Sequence, residues 1–150
     1  MAVSVVSAAG VVTTTTTQKA KGYVGGYIQE RTNIGITVSP HNGMVILREP
    51  HHTYKIIGYL QLAGPRGRGI PNAKVDLYVN KIAWAGMRNL GGGKYTTVIT
   101  TGGKKPGYFS IALTPSREDT GYNYVWWAVY HGDDFHTGCT SAKITVQVWV

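Results

Sequence analysis

The chain has 150 residues and a formal net charge of +8, from 15 Lys and Arg against 7 Asp and Glu. Its length fits one domain, or one domain with an arm. No apolar run approaches the roughly 18 residues that a membrane-spanning helix needs, and the single cysteine, Cys139, excludes an internal disulfide framework.

Charged residues are few, and most of them are basic. Charged residues make up 15% of the chain, below the roughly 25% usual in soluble domains, while glycine and tyrosine are abundant. This composition is typical of an all-β protein that works outside the cytoplasm or inside a large assembly. A basic excess attracts nucleic acid, anionic lipid or an acidic protein surface. Because the Lys and Arg residues are scattered, we expect no nucleic-acid partner.

An apolar, β-branched stretch opens the chain, MAVSVVSAAGVVTTTTT at residues 1–17. Fully extended, it reaches about 55 Å at roughly 3.3 Å per residue, and its valines and threonines favour a strand. An unpaired strand of this kind promotes aggregation. It therefore either adds to a sheet edge of a neighbouring subunit or folds back onto its own domain as a first strand. The positions expected to make this contact are Val3, Val5, Val6, Val11, Val12, Thr13 and Thr15.

Turn signals recur along the rest of the chain, between short runs rich in Val, Ile, Thr, Tyr and Trp, and this pattern favours antiparallel strands. The predicted strands cover residues 22–32, 34–40, 43–49, 53–64, 73–80, 94–101, 107–114, 122–132 and 142–150. In the first of them, Gly25 and Gly26 indicate a bulge or a close approach. Helical periodicity is nearly absent, so the sequence predicts an all-β fold.

Alternation of apolar and polar residues predicts which side chains face the core. Val75, Leu77 and Val79 share one face of the cleanest strand. Adjacent Trp126 and Trp127 must point to opposite faces of theirs, so at least one belongs in the core and the other in a second contact surface. The predicted core contains Val75, Leu77, Phe109, Ile111, Ile144 and Val146.

From about residue 53 onward, the order of these elements resembles bacterial and archaeal Ig-like surface domains of the "big" type. The matching residues are Gly64, Pro65, Gly69, Pro71, Ala73, Val75, Leu77 and Tyr78, then Thr100, Thr101, Gly107, Phe109, Ser110 and Leu113, and last Tyr124, Ala128, Tyr130, Gly132, Asp133 and Ser141. The stretch KIAWAGMRNLGGGKY is long for the usual connection, and the first 50 residues have no counterpart in a single module.

The resemblance implies an Ig-like antiparallel β-sandwich at residues 53–150, preceded by an N-terminal arm and additional strands at residues 1–52. It also implies a setting, since such modules occur in surface proteins, adhesins, S-layer proteins and virion appendages. It implies no enzymatic activity, because this fold is a carrier of many functions.

The segment HGDDFH at residues 131–136 has the clearest metal-ligand chemistry. His131, Asp133, Asp134 and His136 offer two imidazoles and two carboxylates to a divalent cation. Alternatively, the Gly-Asp pair belongs to a hairpin turn, with the aspartate accepting hydrogen bonds from its own backbone. The sequence favours the turn, so we expect no metal. Cys139 has no catalytic signature around it and is expected to be a small core residue.

No Gly-x-Ser-x-Gly elbow and no phosphate-binding loop of the right spacing occur, so we expect neither enzymatic activity nor a cofactor. The sequence predicts a non-enzymatic structural subunit of a large surface assembly, an extracellular filament or a virion component. Copies of the chain are expected to join through the N-terminal arm, with an acidic protein surface as a further partner and no membrane insertion. The expected location is extracellular, on the cell surface or in a virion. The alternative is an adhesive or glycan-binding Ig-like module.

Overall fold

The fold is built from β-strands. A computed structural model of the chain describes residues 6–9, 17–18, 23–24, 27–50, 52–64 and 67–150. The strands in these residues are β1 (Val6–Ala9), β2 (Thr17–Gln18), β3 (Tyr23–Val24), β4 (Tyr27–Ile28), β5 (Thr32–Ser39), β6 (Met44–Ile46), β7 (Tyr54–Leu62), β8 (Lys74–Ala83), β9 (Arg88–Ile99), β10 (Tyr108–Leu113), β11 (Tyr122–Tyr130), β12 (Cys139–Thr140) and β13 (Lys143–Trp149). The same residues contain no α-helix, only 3-10 turns at Ala85–Met87 and Arg117–Asp119. None of their helical segments is long and apolar enough to cross a membrane. The predicted all-β class is confirmed.

The larger sheet is organised around β11. On one side β11 pairs with β8 in antiparallel register, with Ala128 opposite Leu77. On its other side lie β13, with Trp126 opposite Ile144, and the short β12. Beyond β8 the sheet continues to β9. The smaller sheet has the antiparallel order β10-β7-β5, and β3 and β4 form a separate hairpin.

One hydrophobic core draws on both sheets. β5, β7 and β10 contribute apolar side chains from the smaller sheet, and β8, β11 and β13 contribute those from the larger sheet. Five of the six predicted core residues are buried, namely Val75, Leu77, Phe109, Ile144 and Val146. The sixth, Ile111, is partly buried against the same cluster. Two packed sheets with one shared core are a β-sandwich architecture.

Most predicted strands are observed with shifted ends, but the single strand predicted at residues 22–32 is wrong. That region contains β3 and β4, which pair with each other, and the start of β5. Gly25 and Gly26 lie outside the described residues, so the bulge or close approach expected there stays a prediction. The stretch KIAWAGMRNLGGGKY at residues 81–95 is longer than the usual connection because β8 and β9 both extend into it. Between these two strands lies the short turn at Ala85–Met87.

Strands before residue 53 take part in the same sheets as strands after it. β5 pairs along its whole length with β7, from Thr32 opposite Leu62 to Ser39 opposite Lys55. β6 pairs in parallel with the end of β13, with Val45 opposite Val148. The division at residue 53 stays a prediction, and these pairings place β5 and β6 beside strands that follow it.

Replacing Leu77 by alanine tests the shared core. Leu77 is 0% exposed, so Leu77→Ala should lower the free energy of unfolding by about 2–5 kcal/mol, through lost burial and the cavity left behind. The matched control is Leu90→Ala on β9, where the leucine is 45% exposed and the change should stay within about 0.5 kcal/mol. Urea denaturation of both variants measures the difference, and equal effects would contradict the assignment of Leu77 to the core.

Candidate functional site

The outer edge of the last two strands is covered by short segments from the first 46 residues. β2 pairs antiparallel with β12, with Gln18 opposite Cys139. β1 pairs in parallel with the first half of β13, and β6 pairs in parallel with its second half. Three separate segments therefore satisfy one edge that would otherwise present unpaired N–H and C=O groups. We call residues 139–149 with this outer side the terminal edge.

The predicted arm residues are only partly placed. Val6 begins β1 and lies opposite Lys143, and Ala9 lies opposite Thr145 with an irregular register between them. The other predicted contact positions, Val3, Val5, Val11, Val12, Thr13 and Thr15, lie outside the described residues. Within this single chain β1 pairs with its own domain. Whether a neighbouring subunit provides β1 in an assembly stays a prediction.

The opposite edge of the larger sheet is formed by β9, which is poorly suited to accept a further strand. Its first eight residues are all exposed, but its register with β8 shifts twice, near Tyr78 and near Asn80. Three consecutive glycines and Lys94 lie in this region. Bulges, glycines and an edge lysine are the features by which sheets discourage edge-to-edge pairing, so the terminal edge is the better candidate for strand addition.

The segment HGDDFH forms a turn organised by Asp133. Its Oδ1 accepts a hydrogen bond from the Phe135 N–H at 2.8 Å, and its Oδ2 accepts one from the Tyr130 hydroxyl at 3.0 Å. The backbone N–H of Asp133 donates to the His136 carbonyl at 3.0 Å. Asp133 therefore caps the turn through nearby backbone groups, which is the arrangement that the turn interpretation predicts.

Of the four candidate metal ligands, only His136 and Asp133 contact each other. His131 Nε2 lies 2.9 Å from Oδ2 of Asp76, and His136 Nδ1 lies 2.8 Å from Oδ1 of Asp133. Asp134 is exposed. In the part of the chain that the structure describes, no group of three or more His, Cys, Asp or Glu side chains could hold a metal ion.

His131, Asp76 and Thr97 form a chain of hydrogen bonds whose order does not suit nucleophilic catalysis. The Thr97 hydroxyl donates to Asp76 Oδ1 at 2.6 Å, and Asp76 Oδ2 faces His131. Although burial opposes the charged form, these two contacts lower the pKa of Asp76. A hydroxyl nucleophile needs the imidazole between itself and the carboxylate, whereas here the carboxylate lies in the middle. The cluster joins β8, β9 and the turn after β11.

Cys139 lies in the core, as its sequence context predicts. It is 4% exposed and its Sγ accepts a hydrogen bond from the Thr32 hydroxyl at 3.1 Å. Burial raises the pKa of this thiol to about 11, so the reactive thiolate is scarce at neutral pH.

The two adjacent tryptophans lie on opposite faces of β11, as predicted. Trp126 is 1% exposed in the core. Trp127 stacks on Tyr78 with ring centroids 5.5 Å apart, and Lys143 Nζ lies 5.0 Å from its ring centroid. The outer face of the larger sheet therefore carries an aromatic and basic cluster.

Sequence reasoning missed the surroundings of Trp126. Tyr95 on β9 and Asp119 in the turn before β11 both lie at one end of the core, around a cavity that Trp126 also lines. Neither residue stands in a recognisable motif. Their proximity depends on the register of β8 with β9 and on a turn far away in the chain.

No protein-family model, no curated protein and no solved structure matches this chain.

The turn geometry around Asp133 predicts that a chelator leaves the protein unchanged. Its carboxylate is already occupied by the Phe135 N–H, the Tyr130 hydroxyl and His136. We expect the same Tm with and without EDTA, measured by differential scanning calorimetry after dialysis. A clear fall in Tm that added Ca²⁺ or Zn²⁺ reverses would show that the cluster binds metal.

The same turn predicts a pH dependence of stability. Burial works against the charged form of Asp133, but hydrogen bonds from His136, the Phe135 N–H and Tyr130 outweigh it and lower its pKa below the usual 3.8. The carboxylate then contributes stability that is complete above the unfolded-state pKa and is lost as the pH falls through the lower folded-state pKa. Asp133→Asn should therefore be less stable than the parent at pH 7, with the difference shrinking towards pH 2.

The exposed neighbour Asp134 provides the control for this experiment. Asp134→Asn should follow the parent curve of unfolding free energy against pH. If Asp133→Asn and Asp134→Asn give the same curve, Asp133 does not stabilise the turn.

Proposed function

We propose that this chain is a non-enzymatic structural subunit of a large surface assembly, whose copies are joined when the N-terminal segment of one copy adds β1 to the terminal edge of the next. The observation that carries the proposal is the pairing of β1 with β13. β1 has four residues and occupies the half of the edge that β6 leaves free.

Exchange of β1 between copies would preserve every contact that it makes within one chain. The same backbone groups on Lys143–Thr145 are satisfied by β1 from either source, so the two arrangements differ mainly in the path of the connecting residues and in concentration. A terminal strand at an edge is the simplest element to exchange. If four valines of the arm are buried in this way, the gain is of the order of several kcal/mol per contact, which is sufficient to hold a repeating lattice together.

The strand order supports an Ig-like sandwich as the unit of this assembly. In Ig domains the first, second and fifth strands share one sheet, and the third, sixth and seventh share the other. β5, β7 and β10 pair here in the order of the first group, and β8, β11 and β13 pair in the order of the second, with β9 added beside β8. The buried tryptophan lies on β11, whereas antibody domains carry theirs on the third strand.

A carrier fold with interacting edges suits an extracellular filament or a virion component, and we place the protein on the cell surface, outside the cell or in a virion. Copies of the chain are the first partner. Because the sequence carries a net charge of +8, an acidic protein surface is the second. The adhesive alternative has support of a different kind, in a cavity at one end of the sandwich.

Cysteine pairing across the edge tests the exchange. Val6 and Lys143 occupy opposed positions on β1 and β13, so Val6→Cys with Lys143→Cys should form a disulfide on mild oxidation. Cys139 can remain, because its buried thiol reacts poorly. In the native assembly we expect covalent dimers and longer ladders on non-reducing gels. Only intrachain bonds would contradict exchange.

A pair within one sandwich gives the matched control, and a truncation gives the functional readout. Lys55→Cys with Ala112→Cys joins opposed positions on β7 and β10 and should stay monomeric on the same gel. Deleting residues 1–17 should leave a folded, soluble domain that no longer forms large particles, as followed by light scattering and electron microscopy. Full-sized particles from the truncated chain would show that the arm is not the connector.

A further inference from the structure

A cavity of about 320 Å³ opens at the end of the sandwich where β7 begins and β10 ends. Tyr54 and Leu113 lie opposite each other in the smaller sheet, and Trp126 and Tyr124 line the cavity from β11 in the larger sheet. The volume is near the lower end of the range for small-molecule sites, and such sites combine aromatic walls with a few polar groups. This cavity has both.

The first polar group is the indole N–H of Trp126, which lies in the wall of the cavity. Trp126 is 1% exposed, and its Nε1 makes no hydrogen bond of acceptable geometry in the described residues. Burial raises the pKa of the Tyr54 hydroxyl above its usual range, and the nearby Trp126 side chain counteracts that shift, so the indole lies beside another residue of the cavity wall. Buried donors without an acceptor are rare in native proteins, and each calls for an explanation such as a missing ligand or water.

The second polar group is the carboxylate of Asp119. Its Oδ1 accepts a hydrogen bond from the Tyr124 hydroxyl at 2.8 Å, and its Oδ2 accepts one from the Ser116 N–H at 2.8 Å. Burial, with the hydrogen bond to Asp119, raises the pKa of Tyr124 above its usual range. A carboxylate has about four acceptor positions, so Asp119 is fixed in place and still able to accept a donor from a ligand.

Tyr95 is brought to the cavity by a β-bulge. On β9, Lys94 lies opposite Tyr78 and Thr96 lies opposite Leu77, which leaves Tyr95 as the extra residue between them. Bulges re-aim side chains and are common beside functional sites. The Tyr95 ring meets Trp126 edge to face, with centroids 5.1 Å apart, yet its side chain is 55% exposed. Tyr95 is therefore a rim residue that an incoming ligand can contact.

These groups select among ligand classes. An apolar ligand or a simple cation would offer no acceptor to the Trp126 N–H. An anion would be repelled by the Asp119 carboxylate. A sugar hydroxyl both accepts and donates a hydrogen bond, and the C–H face of a pyranose ring packs against aromatic rings. We propose that this cavity binds one neutral pyranose unit, with Trp126 Nε1 donating to one hydroxyl, Asp119 accepting from another and Tyr95 covering the ring at the entrance.

The experiment is titration of the ¹⁵N-labelled full chain with methyl glycosides of glucose, galactose, mannose and N-acetylglucosamine. The chain has four tryptophans, and Trp126→Phe assigns the Trp126 indole signal. We expect a saturable shift of that signal with at least one sugar, while the Trp127 signal stays in place. No saturable shift with any of them at about 100 mM, roughly 100-fold above a millimolar Kd, would overturn the proposal.

A rim variant and a matched surface variant test the geometry without disturbing the core. Tyr95→Ala should weaken the Kd by about tenfold or more, whereas Tyr108→Ala should not change it. Tyr108 is similarly exposed, at 45%, but packs on Tyr59 away from this cavity. Equal Kd values for the two variants would refute the assignment. A panel of immobilised polysaccharides then separates the two sources of the sugar, since tighter binding there indicates a terminal glycan unit and binding only in solution indicates a free monosaccharide.

Sugar binding does not depend on strand exchange at the terminal edge. The chain with residues 1–17 deleted should bind the same glycoside with an unchanged Kd, so failure of either proposal leaves the other intact.

Discussion

Burial of β11 between two paired neighbours is the constraint on which the rest of the structure depends. Trp126 and Ala128 face the core, and the backbone of β11 is satisfied by β8 on one side and by β12 and β13 on the other. With its centre fixed in this way, the larger sheet extends to β9 on one side and, on the other, to the terminal edge with the short β1, β2 and β6 paired on it. The irregular β9 is the less favourable edge for a further strand, and the proposed exchange therefore involves residues 139–149.

Burial was predicted reliably wherever apolar and polar residues alternate along a strand. Val75 and Leu77, or Ile144 and Val146, are buried because alternate residues of a strand face the same side. The same rule separated Trp126 from Trp127 without any knowledge of neighbouring strands. The short turn around Asp133 was also predictable, because its hydrogen bonds join residues that are close in the chain.

Features that depend on distant residues escaped prediction. His131 meets Asp76 only because β8 and β11 pair in one register, and β12 is too short to give a periodic signal. The bulge at Tyr95 is a mismatch between two strands, so it cannot be seen in either strand alone. The cavity beside Trp126 depends on that bulge and on the 3-10 turn that positions Asp119.

The strands paired at the terminal edge are much shorter than the central strand β11, so the two are expected to open at different free energies. β1, β2 and β6 have four, two and three residues, whereas β11 has nine residues and partners on both sides. Short edge strands with few hydrogen bonds open at a lower free energy than a central strand, whose amides exchange with solvent only when the domain unfolds. The strands at the border can thus open while the interior stays folded, so under the proposed exchange the rate of strand transfer between copies would be independent of the lifetime of the folded domain.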